Sequence, residues 1–109
     1  LRNGKVVYEY YYGSANATIL AMSASKSFVG LAFGFLLADR KLASLDEPVV
    51  TQLPAFANVD PRKASITYRH LLSHSSGLDQ TRDMGDIEAK ALESRTVFAP
   101  GTGWQYNNA

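Results

Sequence analysis

The longest apolar run in the chain, Ser27 to Ala38, reads Ser-Phe-Val-Gly-Leu-Ala-Phe-Gly-Phe-Leu-Leu-Ala and leaves no polar stripe at helical spacing. A helix apolar on every face belongs inside a protein, so the run predicts a central buried helix from about Ser23 to Asp39. Upstream, Arg2-Asn3-Gly4-Lys5 is a hairpin signal followed by a strand-like segment, Val6 to Tyr12, whose partner strand is expected before Leu1. Tyr8, Tyr10, Tyr11 and Tyr12 read as strand packing rather than as a binding platform. Downstream, Pro48 to Pro54 reads as extended, and Asp86 to Ser94 reads as a helix. Between them Thr67 caps a short helix closed by Gly77, with Leu71 and Leu72 packing inward. A single strand cannot cover an all-round apolar helix, so the chain is expected to be part of a larger domain, neither well packed nor active by itself.

A membrane span is the competing reading of Ala15 to Ala38, which is long enough and carries Gly30 and Gly34 as a G-x-x-x-G pair. Lys26 lies near its middle, where a lysine costs about 2.5 kcal/mol or more, and Asn16 and several serines dilute it. No stable membrane insertion is expected, and the basic flank is on the wrong side for a signal peptide.

Composition changes this picture little. A hydrophobic fraction of 46%, 19% charged residues and a net charge of +1 describe an ordinary globular chain and give no reason to expect a nucleic-acid partner. The absence of cysteine excludes a disulfide framework and thiol chemistry, yet it leaves cell envelope, periplasm and cytoplasm all open. Two histidines without metal-like spacing imply no metal.

Candidate chemistry starts at Ser23-Ala24-Ser25-Lys26, which sets a lysine amine one helical turn beyond a serine hydroxyl. Serine is a poor nucleophile unaided, and a lysine whose ammonium form is disfavoured by burial can serve as its base. With 10 serines and 5 lysines in 109 residues, roughly 0.5 such matches arise by chance, so context has to decide. Tyr106-Asn107-Asn108 supplies some: a phenol beside a lysine can relay a proton, and an amide can accept from an amine while donating to a substrate carbonyl. Without Ser23 and Lys26, Tyr106 would read as a half-buried aromatic after the Pro100-Gly101-Thr102-Gly103 turn. His70 and His74 are read as structural, because no G-x-S-x-G elbow nominates a serine for a triad.

Ile66-Thr67-Tyr68-Arg69-His70-Leu71-Leu72-Ser73-His74-Ser75-Ser76-Gly77-Leu78 completes the set. It resembles the I-T-x-R-x-L-L-x-H-x-S-G-L stretch of the serine β-lactamase-related hydrolases, which include class C β-lactamases, esterases, D-alanyl-D-alanine peptidases and nylon-oligomer hydrolases. Ser23-x-x-Lys26 followed by Phe28, Leu-Asp-Glu-Pro at 45 to 48, and Phe98-Ala99-Pro100-Gly101 leading into Tyr106-x-Asn108 fit the same family, in its order. The resemblance implies an α+β fold of the β-lactamase/transpeptidase type, this chain covering mainly the helical part plus one strand of the sheet. It also implies a third motif, Lys or His followed by Thr or Ser and Gly, that this sequence does not contain.

Carried over residue by residue, the resemblance makes Ser23 the nucleophile, gives Lys26 and Tyr106 the work of moving its proton, and has Asn108 orient substrate and Lys26. The Ser23 backbone N–H is expected to form part of the oxyanion hole. No cofactor or metal is implied. The expected partner is a small acyl compound, an ester, amide or β-lactam, with esterase or amidase chemistry preferred. A penicillin-binding D-alanyl-D-alanine carboxypeptidase and a non-catalytic binding module remain the alternatives, and nothing in the residues bears on oligomeric state.

Overall fold

The computed structural model describes residues 1–80 and 85–108. Among these residues, three α-helices, α1 (Ser25–Ala38), α2 (Tyr68–Leu72) and α3 (Ile87–Glu93), are joined by loops and by four 3₁₀ turns at Met22–Ala24, Val49–Thr51, Pro54–Ala57 and Pro61–Ser65. Among the described residues, β pairing is limited to the isolated bridges Arg2 to Lys5, Pro48 to Thr67 and Leu78 to Thr96.

The hairpin turn forms as read: Asn3 and Gly4 both take positive φ, 48° and 74°, and Arg2 and Lys5 exchange both backbone hydrogen bonds at 2.9 and 3.0 Å. The strand does not follow. Val6 to Tyr12 is exposed and irregular, because a strand exists only when a neighbour satisfies its backbone groups and no described residue does so. The extended reading of 48 to 54 is also corrected. Only Pro48 is extended, and Val49–Thr51 turns as 3₁₀ helix while Val49 N–H donates to Ile66 O at 2.9 Å.

The core sits away from α1. Val49, Phe56, Ile66 and Leu78 are buried together, with Tyr68, Leu71, Ala91 and Leu92 packed against them, so 3₁₀ turns, α2 and α3 share one small apolar centre. Leu71 joins it as read, whereas Leu72 stays at the surface. Helix α1 forms where its apolar run begins and ends in a Schellman motif, with Lys41 N–H on Leu36 O at 2.9 Å and Arg40 N–H on Leu37 O at 3.1 Å. Yet α1 buries none of its residues: Phe28 is 70% and Phe35 62% exposed. The burial expected of it needs cover on every face, and the described residues meet it chiefly where Phe33 packs on Tyr68, ring centroids 5.3 Å apart. The radius of gyration, 17.5 Å, against about 13 Å for a compact domain of this size, reflects the same lack of cover.

Two polar networks tie these segments together. Lys63, 0% exposed, donates from Nζ to the carbonyls of Ala91, Leu92 and Ser94 at 2.7, 2.8 and 3.2 Å, so a cation closes the C-terminal end of α3, where the dipole favours it. Burial lowers its pKa. Asp60 accepts from the Arg62 side chain and from Thr96 N–H and Oγ1, and these bonds, Arg62 foremost, hold its carboxyl well below the usual carboxylate range.

Helix α2 starts as the sequence indicates, with Thr67 Oγ1 accepting from His70 N–H and His70 Nδ1 accepting from Thr67 N–H. It closes earlier than expected. Its last residue is Leu72, and the left-handed residue after the C-cap is His74, φ 56°, with Ser75 N–H on His70 O at 2.8 Å and His74 N–H on Leu71 O at 3.1 Å. Gly77 serves a second turn three residues on. Its φ is 78°, and a Cβ there would stand 2.2 Å from Phe98 O, a backbone atom. Gly77→Ala is therefore expected to lower stability by more than about 3 kcal/mol, measured by denaturant unfolding of the full-length protein. A loss under about 1 kcal/mol would show that the 76–78 and 96–98 segments are free to separate.

Candidate active site

Ser23 is presented by a 3₁₀ turn, Met22–Ala24, that runs directly into α1. The residue before it, Met22, is held at φ 48°, uncommon for an unbranched apolar side chain and a form of local strain concentrated at functional sites. Ser25 Oγ donates to Met22 O at 2.7 Å and stabilises that turn. The neighbouring hydroxyl is thus occupied in shaping the backbone, and Ser23 is the serine whose hydroxyl meets Tyr106.

Across from it lies the segment carrying Tyr106 and Asn108. Ser23 Oγ and Tyr106 Oη are 2.5 Å apart, a short hydrogen bond between residues 83 positions apart in sequence. Lys26 Nζ donates to Asn108 Oδ1 at 3.0 Å and lies 5.0 Å from the centre of the Tyr106 ring. The bond to Ser23, then the Lys26 ammonium, pull the Tyr106 phenol below its ordinary pKa. The four residues singled out in the sequence thus meet at one place, with one change of detail: the hydroxyl of Ser23 bonds to the phenol, and Lys26 reaches it through Tyr106. Spacing of three along a helix brings two side chains to one face, but it does not decide which of two basic groups takes the hydrogen bond.

Asn107, between the two, points the other way. It is buried, and its Nδ2 donates to Leu78 O at 3.2 Å and Asp79 O at 2.9 Å, tying the Tyr106–Asn108 segment to the loop after α2. The sequence reading missed this anchor. The available signal was the alternation itself, since an amide between two site residues on a non-helical stretch faces away from them. Of the two histidines, His70 works within the α2 cap as read, and His74 lies against Tyr106, ring centroids 4.8 Å apart.

Together these groups line a pocket of about 600 Å³. Ser23, Lys26, Tyr106 and Asn108 contribute polar lining, and Val29, Phe33, Leu71 and Ile87 contribute apolar lining, a mixture usual in small-molecule sites. No described helix is long and apolar enough to cross a membrane.

Comparison with known proteins finds relatives over much of the chain. The chain is 32% identical to esterase EstB of Burkholderia gladioli over 99% of its length and 36% of that protein. It is 32% identical to acyltransferase calJ of Penicillium decumbens over 77% of its length and 27% of that protein. A third relative, a probable fimbrial assembly protein FimD of Dichelobacter nodosus, is 34% identical over 64% of the chain and 21% of that protein. The chain thus spans roughly a third or less of the length of these relatives. No solved structure gives a significant match. The family model described as Beta-lactamase matches residues 1–109, and with it the chain belongs to the β-lactamase family.

Proposed function

We propose that this chain carries the nucleophile-bearing part of a serine hydrolase that forms an acyl-enzyme on small ester or amide substrates. The observation that carries the reading is the Ser23 to Tyr106 hydrogen bond, with Lys26 placed to lower the phenol's pKa. In the proposed cycle, Tyr106 takes the Ser23 proton as Oγ attacks the acyl carbon, and the proton passes to the leaving oxygen or nitrogen as that bond breaks. The Ser23 backbone N–H lies in the 3₁₀ turn that runs into the N-terminus of α1, where the helix dipole favours negative charge, and serves as half of the oxyanion hole. Asn108 holds the Lys26 ammonium and presents its amide to substrate. Water then attacks the acyl-enzyme and releases the acid.

The apolar lining beside a few polar groups supports small acyl compounds over charged polymers as substrates. The name of esterase EstB supports ester cleavage within that class. The exposed apolar α1 and the limited span of the relatives support the view that the working domain is larger than these residues, with the rest of the β-lactamase-like α+β fold covering α1. The test is therefore made on the full-length protein. A fluorophosphonate should attach covalently to the peptide containing Ser23, and an adduct mapped to Ser25, Ser27 or Ser75 would sink the assignment.

A further inference from the structure

His74 occupies the one backbone position of the α2 terminus that an L residue fills least easily. It follows the C-cap at φ 56°, where glycine or asparagine closes a helix with least strain. Closure of the helix therefore does not call for an imidazole. What the imidazole reaches is the segment carrying Tyr106 and Asn108, at three residues: Trp104, edge-on with ring centroids 6.0 Å apart; Tyr106, whose ring lies 4.8 Å away; and Asn107, whose N–H donates to Nδ1 at a long 3.4 Å, while the His74 backbone carbonyl accepts from Gln105 N–H at 2.9 Å.

We infer that His74 is a positioning residue: Nδ1, accepting from the Asn107 backbone, holds the segment in register so that Tyr106 Oη meets Ser23 and Asn108 meets Lys26. The inference rests on the hydrolase reading above and adds to it the part that aligns the proton-transfer group. Tyr106 and Asn108 flank the residue that His74 grips, so a shift of Asn107 carries both with it. Asn107 Nδ2 fixes the same residue from its side chain to Leu78 and Asp79, and the Nδ1 bond acts on its backbone N–H. Acceptance at Nδ1 needs a neutral imidazole with the proton on Nε2. The ionisable groups facing it are Lys26 from α1 and the Tyr106 phenol; burial, followed by the Lys26 charge, lowers the imidazole pKa and favours that neutral form.

Two substitutions in the full-length protein separate this role from helix closure. His74→Gly suits the left-handed backbone but has no acceptor, whereas His74→Asn suits it and keeps an oxygen near the Nδ1 position. The Gly variant is expected to keep wild-type thermal stability within a few degrees while kcat for a p-nitrophenyl ester falls about 10-fold to 100-fold with KM within about twofold, the scale of a misplaced catalytic group. The Asn variant should retain most of the wild-type kcat. Amide exchange at Asn107 should accelerate in the Gly variant and stay slow in the Asn variant. Wild-type kcat in the Gly variant, or equal losses in both, overturns the inference. A wild-type protein that never labels at Ser23 sinks the hydrolase reading instead, and Asn107 exchange then still decides whether His74 holds the segment.

Discussion

Replacing Ser23 with alanine in the full-length protein is expected to lower ester turnover by about 10³-fold or more and to abolish covalent labelling, with thermal stability unchanged. The stability expectation follows from exposure: Ser23 is exposed, and among the described residues its hydroxyl bonds to the half-buried Tyr106, so its loss leaves no fully buried group unsatisfied. The activity expectation follows from the absence of a substitute. Ser25 is committed to the Met22 carbonyl, and no other serine is bonded to Tyr106. Turnover within about tenfold of wild type, at equal folded fraction, would falsify the acyl-enzyme reading. The same variant also tests the phenol, because without the Ser23 bond the largest influence lowering Tyr106 is gone and its titration should move up toward the ordinary tyrosine value. The sign follows from which form the bond favours: a donor to the phenolate stabilises the charged state, so its removal raises the pKa.

Lys26→Arg gives the second large effect. Arginine keeps the positive charge near Tyr106 and Asn108, yet it cannot give up a proton near neutral pH, and its planar fork does not fit a site built around a single ammonium 3.0 Å from Asn108 Oδ1. Acylation should slow by about 100-fold or more, the scale of a lost acid–base group, when measured as the single-turnover burst of p-nitrophenol. The comparison with Lys26→Met separates two contributions. If the lysine acts only as a fixed charge that depresses the Tyr106 phenol, Arg should be much better than Met. If it also carries protons, the two variants should be similarly slow. Near-normal acylation in both would show that Lys26 has neither role.

Much of this site was legible in the residues themselves. A serine, a lysine three positions on, and a Tyr-x-Asn placed after a Pro-Gly turn are chemical types with few joint uses, so Ser23, Lys26, Tyr106 and Asn108 can be named without coordinates. Local structure was legible where local forces decide it: the Asn3-Gly4 turn, the Thr67 cap and the helical run after Ser25 all follow from backbone preference and short-range bonding. Where distant partners decide, the reading ran out. The strand at Val6 to Tyr12 and the burial of α1 both depend on surfaces supplied from elsewhere in space, which periodicity cannot see.

The sequence by itself therefore determined the kinds of groups present, the family they belong to and the local turns that present them. The tertiary structure decided their relations: that the Ser23 hydroxyl bonds to Tyr106 rather than to Lys26, that Asn107 anchors the segment from behind, and that His74 closes α2 while gripping that same segment. Helical spacing can bring Lys26 to the face of Ser23, but Tyr106 arrives from 83 residues away. Which group it meets is set where its segment is held, by the α2 terminus at His74 and by the loop at Leu78 and Asp79.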